Sequence, residues 1–160
     1  MTIAIGCDEA AYDLKEELKT FVAQLGHKII DCGTFNKEKV LYPDIAVKVA
    51  YEIANKAAER GILCCGTCIG MAMTANKFPG IRAAQCHDTY SAERAVKSNN
   101  AQIITMGARV IGIELAKSIV RTFLCAEFID GPSTPKVNKM SEYDEIFRIK
   151  DGRITNATNN

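Results

Sequence analysis

The chain has 160 residues, the length of one ordinary domain, and 48% of them are hydrophobic, enough for a sizeable core without crosslinks or metal. Twenty basic against nineteen acidic residues leave a formal charge of +1, so no overall field draws the protein to nucleic acid or an anionic membrane, and any anion must be held by a local site. The start MTIAIGCDEA lacks the basic head and long apolar stretch of an export signal, no apolar run approaches the roughly 18 residues of a membrane span, and seven cysteines, an odd number, read as reduced thiols; a cytoplasmic location is expected.

Residues 2–7 (TIAIGC) form a short apolar run that stops at Asp8. The stretch that follows, to residue 25, spaces Ala11, Leu14, Leu18, Phe21, Val22 and Leu25 as one helical face, so strand then helix is predicted. A second strand is read at 28–32, closed by Gly33, and a second helix at 43–58 with Ile45, Val49, Ile53 and Ala57 on one side. The alternation continues with strands at 61–65, 81–86 and 102–107 and helices at 70–77, 89–98 and 111–128. Near-continuous apolar strands between amphipathic helices imply an α/β fold: a Rossmann-like three-layer α/β/α sandwich on a mostly parallel five-stranded sheet. The main domain is placed at 1–128. Residues 129–160 are read as a C-terminal tail belonging to the same domain or to a dimer interface: a linker (DGPSTPK), a helix at 137–147, and a turn signal (KDGR, 150–153) within a small hairpin.

Ligands in such folds bind beyond the carboxyl ends of the strands, which directs attention to residues 7–9, 33–34, 65–70, 87–88 and 107–109. In CCGTCIGMAMTANK (64–77) a strand runs into a glycine-containing turn that opens a helix, so Cys65 sits where N–H groups favour negative charge and can serve as a base or nucleophile. Most free cysteines are small core residues, and that is the plainer reading. Cys65 and Cys68 also make C-G-T-C, a spacing similar to the thioredoxin redox motif, although here it follows the third strand of a βαβαβ run. A metal site is disfavoured, because His27 and His87 lie far from that pair in sequence. Asp8 and Glu9 fit either ligands for substrate hydroxyls or a helix cap with its first-turn acid. Arg109 fits an oxyanion clamp or a surface ion pair, and both histidines fit unremarkable loop residues.

Together the stretches IAIGCDEAAYDLK, DCGTF, YPDIA, ILCCGTCIGMAMTANKFPGIRAA and YSAERAVKSNNAQIITMGARVIGIELAK resemble the ribose-5-phosphate isomerase type B and galactose-6-phosphate isomerase family over residues 1–128. The resemblance implies an aldose–ketose isomerase of sugar phosphates with no metal or cofactor, working as a homodimer, or a tetramer built from it, with active sites at the subunit interface. It also implies roles: Cys65 as the proton-transferring base and Thr67 as its polar partner, with the amides from Gly66 through Cys68 and Ile69 to Gly70 holding an enediolate. Asp8 and Glu9 would bind substrate hydroxyls, Tyr42 would wall the pocket, Asn99 would come from across the dimer, and Arg109 would hold phosphate.

The chain also departs from the family pattern. The family's Asp-His pair is Asp8 and Glu9 here, its His-Asn pair, whose histidine helps open the sugar ring, is Ser98 and Asn99, and its arginine-bearing GGRHxxR segment is DGPSTPK. Lys136 occupies a place suited to replacing those arginines, with Arg94 and Lys97 as further candidates. The stretch HDTYSAERAVKSNNAQIITMGARVIG resembles the branch that interconverts erythrulose 4-phosphate and erythrose 4-phosphate. That four-carbon pair is the expected substrate, ribose and ribulose 5-phosphates are the alternative, and a thiol redox protein using Cys65 and Cys68 is the reading from another class.

Overall fold

The computed structural model describes residues 1–147, 149–150 and 153–154. Strands and helices alternate as β1 (Thr2–Cys7), a 3-10 turn (Glu9–Ala11), α1 (Tyr12–Gln24), β2 (Lys28–Asp31), α2 (Tyr42–Ala54), β3 (Arg60–Cys65), α3 (Ile69–Ala75), β4 (Ala83–Gln85), α4 (Thr89–Asn99), β5 (Ile103–Gly107) and α5 (Ile113–Cys125). Helix α6 (Thr134–Ile146) and the short strands β6 (Ile149–Lys150) and β7 (Arg153–Ile154) follow. The first five strands pair in parallel, in the order β2-β1-β3-β5-β4. Right-handed crossovers then send α2 and α3 to one face and α1, α4 and α5 to the other. Two separate cores record this. Ile3, Ile5, Cys7, Ile62, Cys64, Ile104 and Met106 point toward α1, α4 and α5, whereas Ala4, Leu63, Cys65 and Ile103 point toward α2 and α3. The expected three-layer sandwich is therefore the one observed.

Helix ends differ from the periodicity for local reasons. Helix α2 stops at Ala54 rather than 58, because Asn55 caps it and Lys56 turns into the left-handed region at φ 60°. Helix α5 covers 113–125 rather than 111–128: it starts after Gly112, and near its end the Arg60 guanidinium donates to the Phe123 and Ala126 carbonyls, each at 2.8 Å. Helix α6 begins at Thr134, not 137, with Pro135 in the first turn where a missing N–H costs nothing, so part of the expected linker is helical. It packs on α4, its Val137 is buried, and Asp144 accepts from the Gly80 N–H at 3.2 Å. The expected hairpin exists as the antiparallel pair β6 and β7, while its turn at 151–152 lies outside the described residues. Among the described residues no helix is long and apolar enough to cross a membrane.

Helix α2 approaches the sheet closely enough to require glycine beneath it. A Cβ on Gly6 would come within 2.6 Å of Ile45, and one on Gly61 within 2.9 Å of both Val49 and Ile103. On the opposite face α1 buries a charge. Lys15 is fully buried, donating to Asp31 at 3.0 and 3.1 Å and to the Thr34 carbonyl at 2.7 Å, and it lies near the faces of the Tyr12 and Phe35 rings. It thereby ties α1 to the segment after β2. Asp31 also pairs with Lys19; although burial opposes ionisation, the hydrogen bonds from Lys19, the Gly33 N–H and Lys15 hold its carboxyl below the usual carboxylate range.

Losing Asp31 leaves buried Lys15 with only the more exposed Glu16 carboxylate, at 3.0 Å, as counter-charge, so Asp31→Asn should cost about 3 kcal/mol, whereas Lys15→Met, which removes the buried charge itself, should cost about 1 kcal/mol. Urea unfolding of the two variants checks the order; a larger loss for Lys15→Met would show that the Thr34 contact, not charge compensation, matters more.

Candidate active site

At the carboxyl edge of the sheet, the neighbouring ends of β1, β3 and β5 meet. Cys7 lies beside Cys64, and Cys65 beside Gly107. The chain leaves β3 at Cys65 and turns sharply through Gly66 and Thr67 to Cys68, whose φ of 63° is left-handed. That turn brings the Cys68 N–H back to within 2.9 Å of Cys65 Sγ. The thiol of Cys68 is fully buried above the Leu63–Thr105 rung of the sheet and donates to the Leu63 carbonyl at 3.3 Å. Its single proton has two acceptors in reach, that carbonyl and the Cys65 sulfur.

These groups shift Cys65 and Cys68 in opposite directions. A hydrogen bond from the Cys68 thiol is the chief influence holding the Cys65 thiol below its ordinary value; burial and the Asp8 charge oppose it, and the N–H groups of Cys68 and Thr67 reinforce it. Cys68 is pushed far up, first by burial. Cys7 and Cys86, both buried, are each raised to about 12 chiefly by loss of solvent. Among these thiols Cys65 alone is biased toward thiolate. The residues suited to be a reacting pair under the redox reading are therefore strongly unequal.

Four successive carbonyls of this turn are each occupied from outside the loop. The Cys65 carbonyl accepts from the Ala108 N–H at 2.8 Å, that of Gly66 from the Arg109 N–H at 3.0 Å, that of Thr67 from Gln85 Nε2 at 2.6 Å, and that of Cys68 from Thr105 Oγ1 at 3.1 Å. Helix α3 has seven residues, fewer than the sequence suggested, so its dipole is weak and the individual N–H groups matter more.

Asp8 follows β1 directly. Its carboxylate accepts from the Ala10 N–H at 3.1 Å, which makes it the cap of the 3-10 turn, and the Gly66 N–H also interacts with it. Burial and then the neighbouring Glu9 raise its pKa from the ordinary value. Glu9 reaches the other way, accepting from the Val40 N–H at 3.3 Å, and so secures the segment leading to Tyr42. Tyr42 lies across the start of α3: a Cβ on Gly70 would come within 2.5 Å of the Tyr42 hydroxyl. The Arg109 guanidinium lies over Gly66, 3.4 Å from where its Cβ would be, and no carboxylate among the described residues pairs with it. Thr67 and Ile69 are exposed on the loop.

The structure thus gathers Cys65, Gly66, Thr67, Cys68, Ile69, Gly70, Asp8, Tyr42 and Arg109, with Glu9 one layer out. Two expected residues stand elsewhere. Asn99 ends α4, which runs back to the opposite edge of the sheet, and its carbonyl accepts from Arg82 at 3.1 Å. Lys136 is exposed in the first turn of α6. His87 is more than a loop residue: its Nε2 accepts from the Gly107 N–H at 2.9 Å, fixing the end of β5. Asn76 of the ANK motif exchanges two hydrogen bonds of 2.8 Å with the Ala83 backbone, so that signature joins α3 to β4. Gln85 and Thr105 escaped the sequence reading; the signal available was a polar residue in each of two otherwise apolar strands.

The ribose/galactose isomerase family model matches residues 3–140. The chain is 57% identical to ribose-5-P isomerase B of Listeria innocua over 92% of its own length and all of the relative, and 53% identical to D-erythrulose-4-phosphate isomerase of Pectobacterium atrosepticum over 90% of its length and 95% of the relative. The solved ribose-5-phosphate isomerase B of Clostridium thermocellum superposes with a TM-score of 0.89 at 43% identity, covering 91% of this chain and 98% of that one. The family match and likeness at this level across nearly the full length place the chain in the ribose/galactose isomerase family.

Proposed function

We propose that this aldose–ketose isomerase of sugar phosphates works through a cis-enediolate with Cys65 as base, and that its substrates are erythrulose 4-phosphate and erythrose 4-phosphate in the cytoplasm. The observation that carries the mechanism is the Cys65 sulfur accepting the Cys68 N–H at 2.9 Å within a turn whose four carbonyls, 65–68, are engaged elsewhere, an arrangement that favours the thiolate. The thiolate takes a proton from C1 of the ketose. The electron pair moves onto the C2 oxygen, where N–H groups of residues 66–70 hold the enediolate; the proton then returns to C2 while the O1 proton passes to O2, with the Thr67 hydroxyl beside the path. Asp8 orients substrate hydroxyls and Arg109 holds the phosphate, its guanidinium matching an oxyanion bidentately.

The four-carbon substrate is favoured by Ser98, which stands where the family pattern has a ring-opening histidine. In a tetrose 4-phosphate O4 is esterified, so no unstrained ring closes on the carbonyl and the substrate is already open. The relatives bracket the choice, one named for ribose 5-phosphate and another for erythrulose 4-phosphate. Purified protein should therefore show a higher kcat/KM for the tetrose phosphates than for ribose 5-phosphate. A preference for ribose 5-phosphate in side-by-side assays would reverse the assignment.

Cys65→Ala should lower turnover at least about 10²-fold with the fold intact, the usual contribution of a general base. In the native enzyme kcat/KM should rise with pH through a value below the ordinary thiol range. Cys68→Ala, which removes the thiol donor, should move that rise to higher pH, and Cys68→Ser, which keeps a donor, should not. Turnover near wild type in folded Cys65→Ala protein removes Cys65 from the mechanism.

Asn99 reaches such a site only from a second copy. Exposed Leu41, Tyr42, Val47 and Tyr51 near and along α2, and Ile69 and Met73 on α3, support a homodimer that covers this face. Mixing inactive Cys65→Ala and Asn99→Ala proteins with reversible dissociation should then restore about a quarter of the wild-type sites, because each hybrid dimer holds one intact site. No recovery, with exchange verified by mass spectrometry, would place Asn99 outside the site.

A further inference from the structure

We propose that Gln85 and Thr105 are positioning residues of this site, holding the Thr67 and Cys68 carbonyls so that the N–H groups of the same peptide units, those of Cys68 and Ile69, are turned to the opposite side. The inference rests on the reading of Cys65 as the base. Its physical ground is the trans peptide unit, in which C=O and N–H point in opposite directions, so whatever holds the oxygen aims the hydrogen.

Gln85 donates to the Thr67 oxygen at 2.6 Å, and the N–H of that same unit points at Cys65 Sγ at 2.9 Å. Thr105, fully buried on β5, donates to the Cys68 oxygen at 3.1 Å, which also takes the Ala72 N–H at 3.2 Å; the Ile69 N–H therefore faces away from the sheet. The two preceding units, with oxygens on Cys65 and Gly66, are held by main-chain N–H groups of Ala108 and Arg109 and cannot be altered by substitution. The second pair depends on side chains. Between them Gln85 and Thr105 determine whether the left-handed Cys68 keeps its N–H on the sulfur. Without the first bond, the 67–68 unit is free to rotate, and the sulfur loses a donor that favours its charged form.

The titratable groups that act on Cys65 are the Cys68 thiol of its own turn and the Asp8 carboxylate just after β1, with the Arg109 guanidinium over the adjacent Gly66, and all are retained in the test variants. The measurement is the pH dependence of iodoacetamide alkylation at Cys65, read by mass spectrometry of its peptide so that exposed Cys125 does not interfere, together with steady-state kinetics. In Gln85→Met the alkylation profile should move up by roughly one pH unit, as expected for loss of one hydrogen bond to the charged form. Its kcat should fall about tenfold with KM within about twofold, because oriented amides act on charge that develops in the transition state.

Thr105→Val should reproduce a smaller shift, and Thr105→Ser, which keeps the hydroxyl, should return the profile to wild type. If Thr105→Val does not fold, Gln85→Met at the exposed strand edge still decides the matter. A wild-type alkylation profile in folded Gln85→Met overturns the proposal, whatever happens to the rate. A shifted profile with undiminished activity in Cys65→Ala protein would instead leave these positioning roles standing and remove Cys65 as the base.

Discussion

The geometry of the turn centres on one hydrogen bond, from the Cys68 N–H to the Cys65 sulfur. For that N–H to turn back on the strand it has just left, residue 68 must take a left-handed conformation and the carbonyls around it must be satisfied elsewhere. A parallel sheet supplies both conditions at its carboxyl edge: the ends of β5 and β4 lie beside and beyond β3, offering N–H groups and side chains to a turn that would otherwise lack partners. The order β2-β1-β3-β5-β4 matters here. It puts β5 immediately next to β3, so residues 105, 108 and 109 are the neighbours of the turn, and it leaves β4 close enough for Gln85 to reach it.

Electrostatics then separates chemically identical groups. Seven thiols share this chain, and six are buried, yet burial, helped by nearby carboxylates, drives Cys7, Cys32 and Cys86 upward while the donors around Cys65 overcome it. Position, not exposure, makes the difference: Cys64 and Cys65 are adjacent in sequence but point to opposite faces of the sheet, and Cys64 is pushed up first by its burial in the core on the α1 side. Asp8 limits the effect, since its charge works against a second negative group nearby.

The strands and their order of alternation were legible because each is a dense apolar run, and the loop at 64–70 stood out because glycines and cysteines interrupt such a run. Helix ends were less legible. Arg60 shapes the end of α5 from sixty residues away, and Lys56 breaks α2 by adopting a conformation that lysine does not advertise. The roles of Gln85, His87 and Thr105 were out of reach for the same reason: each is a single polar side chain whose meaning lies in a main-chain group brought beside it by strand pairing. Asn76 shows the converse, since a motif that marks the family turns out to bind backbone rather than face the sulfur.

The left-handed backbone at Cys68 has a consequence for how this protein can change. An L-residue there carries a penalty of about 1 kcal/mol that glycine would not, so a search for sturdier variants should repeatedly arrive at glycine in this position. The same replacement deletes the thiol that does most to hold Cys65 below the ordinary thiol range. Durability and basicity are thus set against each other at one residue, and lineages that settle the contest differently would share a fold and a cysteine at the end of β3 while differing in how readily that cysteine ionises.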